Sequence, residues 1–495
     1  MKKLITSALV SLVLLVQFLM LTTAVWAQPE TEKPEHCSQV FLQGSATTDL
    51  CIWSDGDTKL YVIHPTEDIS VSLPPVLYLL GGPGSKGNVH INHMALIANR
   101  LGRTVLLPDP ANSVADLECS QTDMDDAQRG IATTPENAVF YTRALQQARL
   151  EACLQQVKIT PALQATISTP EQARNLKKLR EELGLDAWIV FAESYGGRLA
   201  VTLATMDEAG ISKLILDSPE TPWVPAFWHT GRNFKHALRV LSELCRDQYR
   251  CPAKRLRLEE RLPEIISVFD REDVEPLELK DLYTREVVAY ARPTQEQLFI
   301  TTFMALRSAE RAELMPYIAA APNDEGLKKR FGLLLSQLLR PGSSLNIGFH
   351  HSVRCSELPL GDWYSALEAD KVEAPELSPF LDYLAWRQQF VCQALNIISP
   401  SSLTSYPAPR MKTLVLSGGL DPVTPAPVIA AAFPSDANIS TLQYETLGHV
   451  VHTQLDCVLR DIRHFIGGTF PDQIPATTCS KKDLKMRFFS PVVWR

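Results

Sequence analysis

The sequence predicts an α/β protein with a mostly parallel central sheet, interrupted by one long, mainly helical insertion. Three observations carry that expectation. Apolar runs of strand length alternate with stretches at helical spacing up to about residue 221. The pattern then becomes mostly helical over 222–403. Strand-like runs return at 413 and 439. The 495 residues suffice for one large core plus an inserted domain, and no internal repeat or low-complexity run appears.

Taken in order, the chain opens with Lys2 and Lys3, an apolar run over 4–21, and Val25-Trp26-Ala27. This is the pattern of a secretory signal peptide cut after Ala27. An uncleaved membrane anchor is the alternative, because the apolar run is almost long enough to span. Residues 28–35 read as a polar leader. Apolar runs punctuated by Gly and Asp over 40–71 predict an antiparallel hairpin, and strands follow at 76–80 and 104–108. Helical patterns cover 135–157 and 170–183; the second opens at Thr169-Pro170, a capping residue followed by a first-turn proline. The run 188–193 is an apolar strand, 197–206 a helix and 213–217 another strand. Inside the insertion, apolar residues recur at helical spacing over 236–244, 256–269, 295–311 and 326–339. The sheet resumes at 413 and closes with a helix at 455–466. The implied plan is a signal at 1–27, sheet domain at 28–221, cap-like insertion at 222–403 and the rest of the sheet domain at 404–495.

Chemistry concentrates at strand ends. Ala192-Glu193-Ser194-Tyr195-Gly196 lies between an apolar strand and a helix, the setting of a nucleophile elbow. Small residues two before and two after the serine are required because the turn crowds those positions. Asp421 follows the strand at 413, within Asp421-Pro422-Val423-Thr424-Pro425, and His449 follows the strand at 439–444. The order Ser, Asp, His is that of α/β-hydrolases. A serine hydroxyl is a weak nucleophile, so His449 is needed to take its proton and Asp421 to orient the ring. Asp217 and Asp456 compete with Asp421, and His452 with His449; the Asp-Pro-Val-Thr-Pro turn and Gly448 favour the first-named pair. Gly81-Gly82-Pro83-Gly84 follows an apolar strand directly, and the amides of Gly82 and Tyr195 are the candidate oxyanion donors. Arg198, on the helix after the elbow, reads as structural.

Together, Gly81-Gly82-Pro83-Gly84, Glu193-Ser194-Tyr195-Gly196-Gly197, Asp421-Pro422-Val423-Thr424-Pro425 and Gly448-His449 resemble the prolyl-aminopeptidase-like serine peptidases, and among them the secreted tripeptidyl-aminopeptidase branch. The resemblance runs from about Cys51 to Cys479. It departs at Pro108-Asp109-Pro110-Ala111-Asn112-Ser113, where those peptidases carry an Asp-Gln-Arg-Gly-Thr-Gly-like loop. It implies an α/β-hydrolase fold with a helical cap, and release of residues or short peptides from free N-termini of oligopeptides, without metal or organic cofactor. Such a reaction needs a carboxylate to pair the substrate ammonium. Glu357 is the first candidate and Glu193 the second. A carboxylester hydrolase on the same scaffold is the alternative activity.

Ten cysteines lie after the signal, an even number that fits disulfides in an oxidising compartment. Sequence leaves the connectivity open; pairing neighbours gives Cys37–Cys51, Cys119–Cys153, Cys245–Cys251, Cys355–Cys392 and Cys457–Cys479. No CxxC pair appears, which argues against zinc. Loss of Lys2 and Lys3 with the signal takes the formal net charge from −8 to −10. Such acidity disfavours nucleic acid and anionic membrane surfaces as partners. The expected product is an exported protein, periplasmic or secreted.

Overall fold

The computed structural model describes residues 36–488 except 42–46, 56–57, 67–72, 111–116, 118–130, 141, 224–227, 249, 268, 270–274, 282–283, 285, 339–344, 404–405, 435 and 469–476. The expected signal peptide at 1–27, the expected leader at 28–35 and Cys119 lie outside the described residues. The chain begins with β1 (His36–Phe41), β2 (Thr47–Asp55) and β3 (Thr58–Ile63), an antiparallel meander of three strands where the pattern predicts a two-stranded hairpin. There follow β4 (Val76–Leu79), α1 (Ile91–Leu101), β5 (Val105–Pro108), β6 (Ile131–Ala132), α2 (Arg143–Leu154), α3 (Pro161–Ile167) and α4 (Thr169–Glu182). Then come β7 (Trp188–Glu193), α5 (Tyr195–Met206) and β8 (Ile211–Asp217).

Two helix starts differ from the sequence reading. The helix expected from 135 begins only at Arg143, where the Thr142 hydroxyl caps the Leu145 amide. Thr169 does not cap α4; Ser168 takes that position without a side-chain bond, and the Thr169 hydroxyl is drawn away by Glu357.

The insertion comprises α6 (Thr230–Arg246), α7 (Leu258–Ser267), β9 (Leu277–Lys280), β10 (Val287–Ala291), α8 (Gln295–Leu306), α9 (Ala309–Ala312), α10 (Leu314–Ala319), α11 (Asp324–Leu338), α12 (Ile347–Glu357), α13 (Leu360–Glu373) and α14 (Ser378–Ala394). The helix expected over 295–311 is therefore broken at Arg307-Ser308. Phe234, Phe299, Phe303 and Phe380 centre a core of the insertion's own, with the Phe234 ring 5.7 Å from Phe303 and 5.8 Å from Phe380 in edge-on contact. The helical pattern misses β9 and β10. They form a small antiparallel sheet with β6, in which Tyr290 faces Ala132. The chain closes with β11 (Thr413–Gly418), α15 (Ala426–Ala432), β12 (Ile439–Tyr444) and α16 (Asp456–Ile466).

Among the described residues the main sheet has nine strands in the order β1-β2-β3-β5-β4-β7-β8-β11-β12, and from β5 to β12 every pairing is parallel. Helices cover both faces, so its central strands are continuous apolar runs. Ile189 and Phe191 pack with Met94 and Ala98 of α1 and Ile462 and Phe465 of α16. The alternate residues Trp188, Val190 and Ala192 pack with Leu176 and Leu179 of α4 and Leu199 and Leu203 of α5. This is the α/β-hydrolase architecture with a mainly helical insert between β8 and β11.

Disulfides Cys245–Cys251, Cys355–Cys392 and Cys457–Cys479 are formed. Cys51 and Cys153 are disulfide-bonded as well; Cys37 is described by its backbone alone, which the β1–β2 ladder sets opposite Cys51. Cys355–Cys392 ties α12 to α14 across 37 residues. Closing a loop of that length stabilises by about 2–4 kcal/mol. Replacing both cysteines by serine is expected to lower the unfolding free energy by that amount in urea titrations.

Candidate active site

Because β7, β8, β11 and β12 are adjacent and parallel, their carboxyl ends open on one edge of the sheet. Ser194 follows β7 at φ 51°, ψ −120°, a conformation L-residues rarely hold. Three backbone bonds fix it. Its amide donates to the Asp217 carbonyl at 3.0 Å, and its carbonyl accepts from the amides of Gly197 at 2.9 Å and Glu220 at 2.8 Å. Gly196 is required: a methyl there would lie 2.2 Å from the Leu79 carbonyl oxygen of β4. Two positions before the serine, the Ala192 methyl is accommodated in the core.

Asp421 and His449 reach the serine from the turns after β11 and β12. His449 Nε2 lies 2.9 Å from Ser194 Oγ, and His449 Nδ1 lies 2.7 Å from Asp421 Oδ2. A carboxylate only accepts, so Nδ1 carries the hydrogen and a bare Nε2 faces the hydroxyl. Asp421 is fully buried. Its Oδ1 accepts from the amides of Val423 at 2.7 Å and Thr424 at 3.1 Å. Burial alone pushes its pKa up, but His449 and these amides outweigh that and hold the carboxyl below its ordinary range.

A second Asp–His pair sits beside the first and explains both sequence rivals. His452 Nδ1 donates to Asp217 Oδ2 at 2.6 Å. The same carboxylate accepts the amides of Val451 at 3.0 Å and His452 at 2.9 Å. His452 Nε2 turns to the Tyr78 hydroxyl at 3.0 Å, away from Ser194. His452 is therefore a bonded partner of Asp217. Asp456 is exposed, in an ion pair with Arg100.

Neither carboxylate expected to anchor an ammonium is presented free. Glu193 accepts from the Tyr78 hydroxyl at 2.6 Å and the Gly81 amide at 3.2 Å, so it braces the Gly81-Gly82 loop. Burial first, then the Glu193 charge, raise the Tyr78 pKa, which keeps that hydroxyl a donor. Glu357 accepts from the Thr169 amide at 2.7 Å, the Thr169 hydroxyl at 2.8 Å and Arg198 Nε at 2.9 Å. Both half-buried carboxylates thus have donors supplied by the fold. The Tyr195 phenol joins the same chain, 2.5 Å from the Thr169 hydroxyl and 3.1 Å from Gln172 Nε2. Arg198 is thus ion-paired with Glu357, as a structural residue would be. A cavity of about 390 Å³ lined by Gln164, Thr169, Arg198, Glu357 and Tyr406 adjoins this chain, and Ser194, Asp421 and His449 do not line it.

Sequence reasoning misses Gln454. Its Oε1 accepts the Gly448 amide at 3.1 Å, and its Nε2 donates to the His449 carbonyl at 3.1 Å. A glutamine five residues after the histidine was the available signal, but side-chain-to-backbone clamps carry no motif.

No family model and no curated protein matches the chain. Solved structures are similar at low level. A serine hydrolase from the polyaromatic-hydrocarbon-degrading Cycloclasticus zankles is 12% identical, over 86% of this chain and 100% of that one, at TM-score 0.33. An α/β hydrolase from Novosphingobium aromaticivorans is 12% identical over 87% and 98%, at TM-score 0.32. Naproxen esterase from Bacillus subtilis is 10% identical over 87% and 92%, at TM-score 0.33. Likeness of this degree assigns neither substrate nor reaction.

The Asp421 environment yields a pH prediction. Its folded pKa lies below the unfolded value, so ionisation stabilises the fold above about pH 4, and that contribution is lost as pH falls through the folded value. In thermal melts from about pH 5 downward, Asp421→Asn is expected to show a shallower fall in Tm than the unsubstituted chain.

Proposed function

We propose that this chain is an exported serine exopeptidase that releases short peptides or single residues from the free N-termini of oligopeptides. The observation that supports it most is the unbroken line from Ser194 Oγ through His449 to Asp421, at 2.9 and 2.7 Å. Ser194 Oγ adds to the scissile carbonyl carbon while His449 Nε2 takes its proton. Asp421 stabilises the imidazolium. The oxyanion is received by the amides of Gly82 and Tyr195; the latter opens α5, where first-turn amides have no acceptor within the helix. Collapse breaks the C–N bond, and the leaving amine takes the proton from His449. Water then attacks the acyl-serine, giving its proton to His449; the acyl C–Oγ bond breaks, Ser194 Oγ takes that proton back from His449, and the N-terminal fragment departs as a carboxylic acid.

Peptides are favoured over esters by the likeness of the Gly-Gly-Pro-Gly and Asp-Pro-Val-Thr-Pro segments to N-terminal peptidases. Export is favoured by the disulfides, which persist in oxidising compartments.

A fluorophosphonate probe is expected to label Ser194, and Ser194→Ala to abolish labelling. Peptide amides with a free N-terminus should turn over far faster than acetyl-blocked ones, with short-chain esters as the comparison. Turnover restricted to esters, or indifference to the blocking group, removes the exopeptidase reading. Asp421→Asn should lower kcat by about 10⁴-fold. Asp217→Asn should act through a lower Tm more than through loss of the nucleophile's activation.

A further inference from the structure

Arg307 sits in the break between α8 and α9 and is fixed against the histidine loop. A Cβ on Gly448 would lie 2.3 Å from the Arg307 carbonyl carbon, so the two backbones touch. Gln454 fastens the contact, with Oε1 accepting the Ala309 amide at 2.9 Å and Nε2 donating to the Arg307 carbonyl at 3.4 Å. The backbone of Arg307 is thereby held against Gly448, the residue before His449.

Its guanidinium makes no ion pair among the described residues. Nε is buried without a hydrogen-bond partner, and Nη1 reaches only the Met304 sulfur, at 3.7 Å. Burial lowers its pKa, and the charges that oppose this are Asp421 and Glu193. Both of those are already committed, Asp421 to His449, Thr424 and Val423, and Glu193 to Tyr78 and Gly81. Arg198 and Arg354 differ, since each is ion-paired with glutamate. An arginine stays charged even when desolvated, and its planar fork matches a carboxylate in two parallel bonds.

We propose that Arg307 binds a carboxylate of the substrate and so makes the site selective for anionic substrates. The carboxylate is the C-terminus of a short peptide or an acidic side chain near the scissile bond. This rests on the hydrolase reading of Ser194.

The test compares kcat/KM on two matched pairs of peptides with free N-termini: C-terminal acid against C-terminal amide, and Glu against Gln beside the scissile bond. The unsubstituted chain is expected to prefer the charged member of one pair by about tenfold or more, the scale of a charge-assisted bond. The pair that responds identifies the source of the carboxylate. Arg307→Gln should bring that ratio near one, with Arg307→Lys in between. A ratio near one in both pairs for the unsubstituted chain overturns the proposal, as does an unchanged ratio in Arg307→Gln. If neither peptide of a pair is cleaved, the exopeptidase reading fails. Arg307 is then judged by protection of Ser194 from the fluorophosphonate, where N-acetylglutamate should protect better than N-acetylglutamine and equal protection overturns the proposal.

Discussion

Asp217 is the residue on which the geometry of the site turns. Its carbonyl holds the Ser194 amide, and its carboxylate gathers the amides of Val451 and His452 with the His452 ring. Around it the backbone is strained at three points: Ser194 at φ 51°, Ser218 at 48° and Val450 at 62°, the last a β-branched residue in the left-handed region. Such conformations persist only where the surroundings over-determine them. Here one buried residue, its carbonyl at the elbow and its carboxylate at the histidine loop, does so for both, assisted by the Ser218 hydroxyl accepting the Val450 amide at 2.9 Å.

From that residue a hydrogen-bonded chain runs through His452, Tyr78 and Glu193 to the Gly81 amide. It joins the histidine loop to the glycine loop at the end of β4. Tyr195 divides its labour in a comparable way, with its amide at the elbow and its phenol in the Thr169–Glu357–Arg198 chain. Parts of the site far apart in sequence are thus set by polar chains inside the core, where each bond is strengthened by the low dielectric.

The sheet and the Ser–His–Asp line were legible because their signals are local. A strand buried on both faces is a continuous apolar run, and each member of the line follows such a run directly. For Glu193 and Glu357 a sequence shows a carboxylate but not its donors, which come from Tyr78, 115 residues away, and Thr169, 188 residues away. The same holds for β9 and β10. Their partner β6 is two residues long, and its pairing exists only after the insertion has folded back upon it.

That small sheet has a bearing on how the insertion relates to the rest of the chain. With one of its three strands drawn from ahead of the elbow, the insertion is not bounded by its two junctions at β8 and β11. Excising it as a cassette, or grafting it onto another scaffold, would strand Ile131–Ala132 with an open edge and leave β10 without its neighbour. Exchange of this region between proteins therefore has to move two separate stretches of sequence at once.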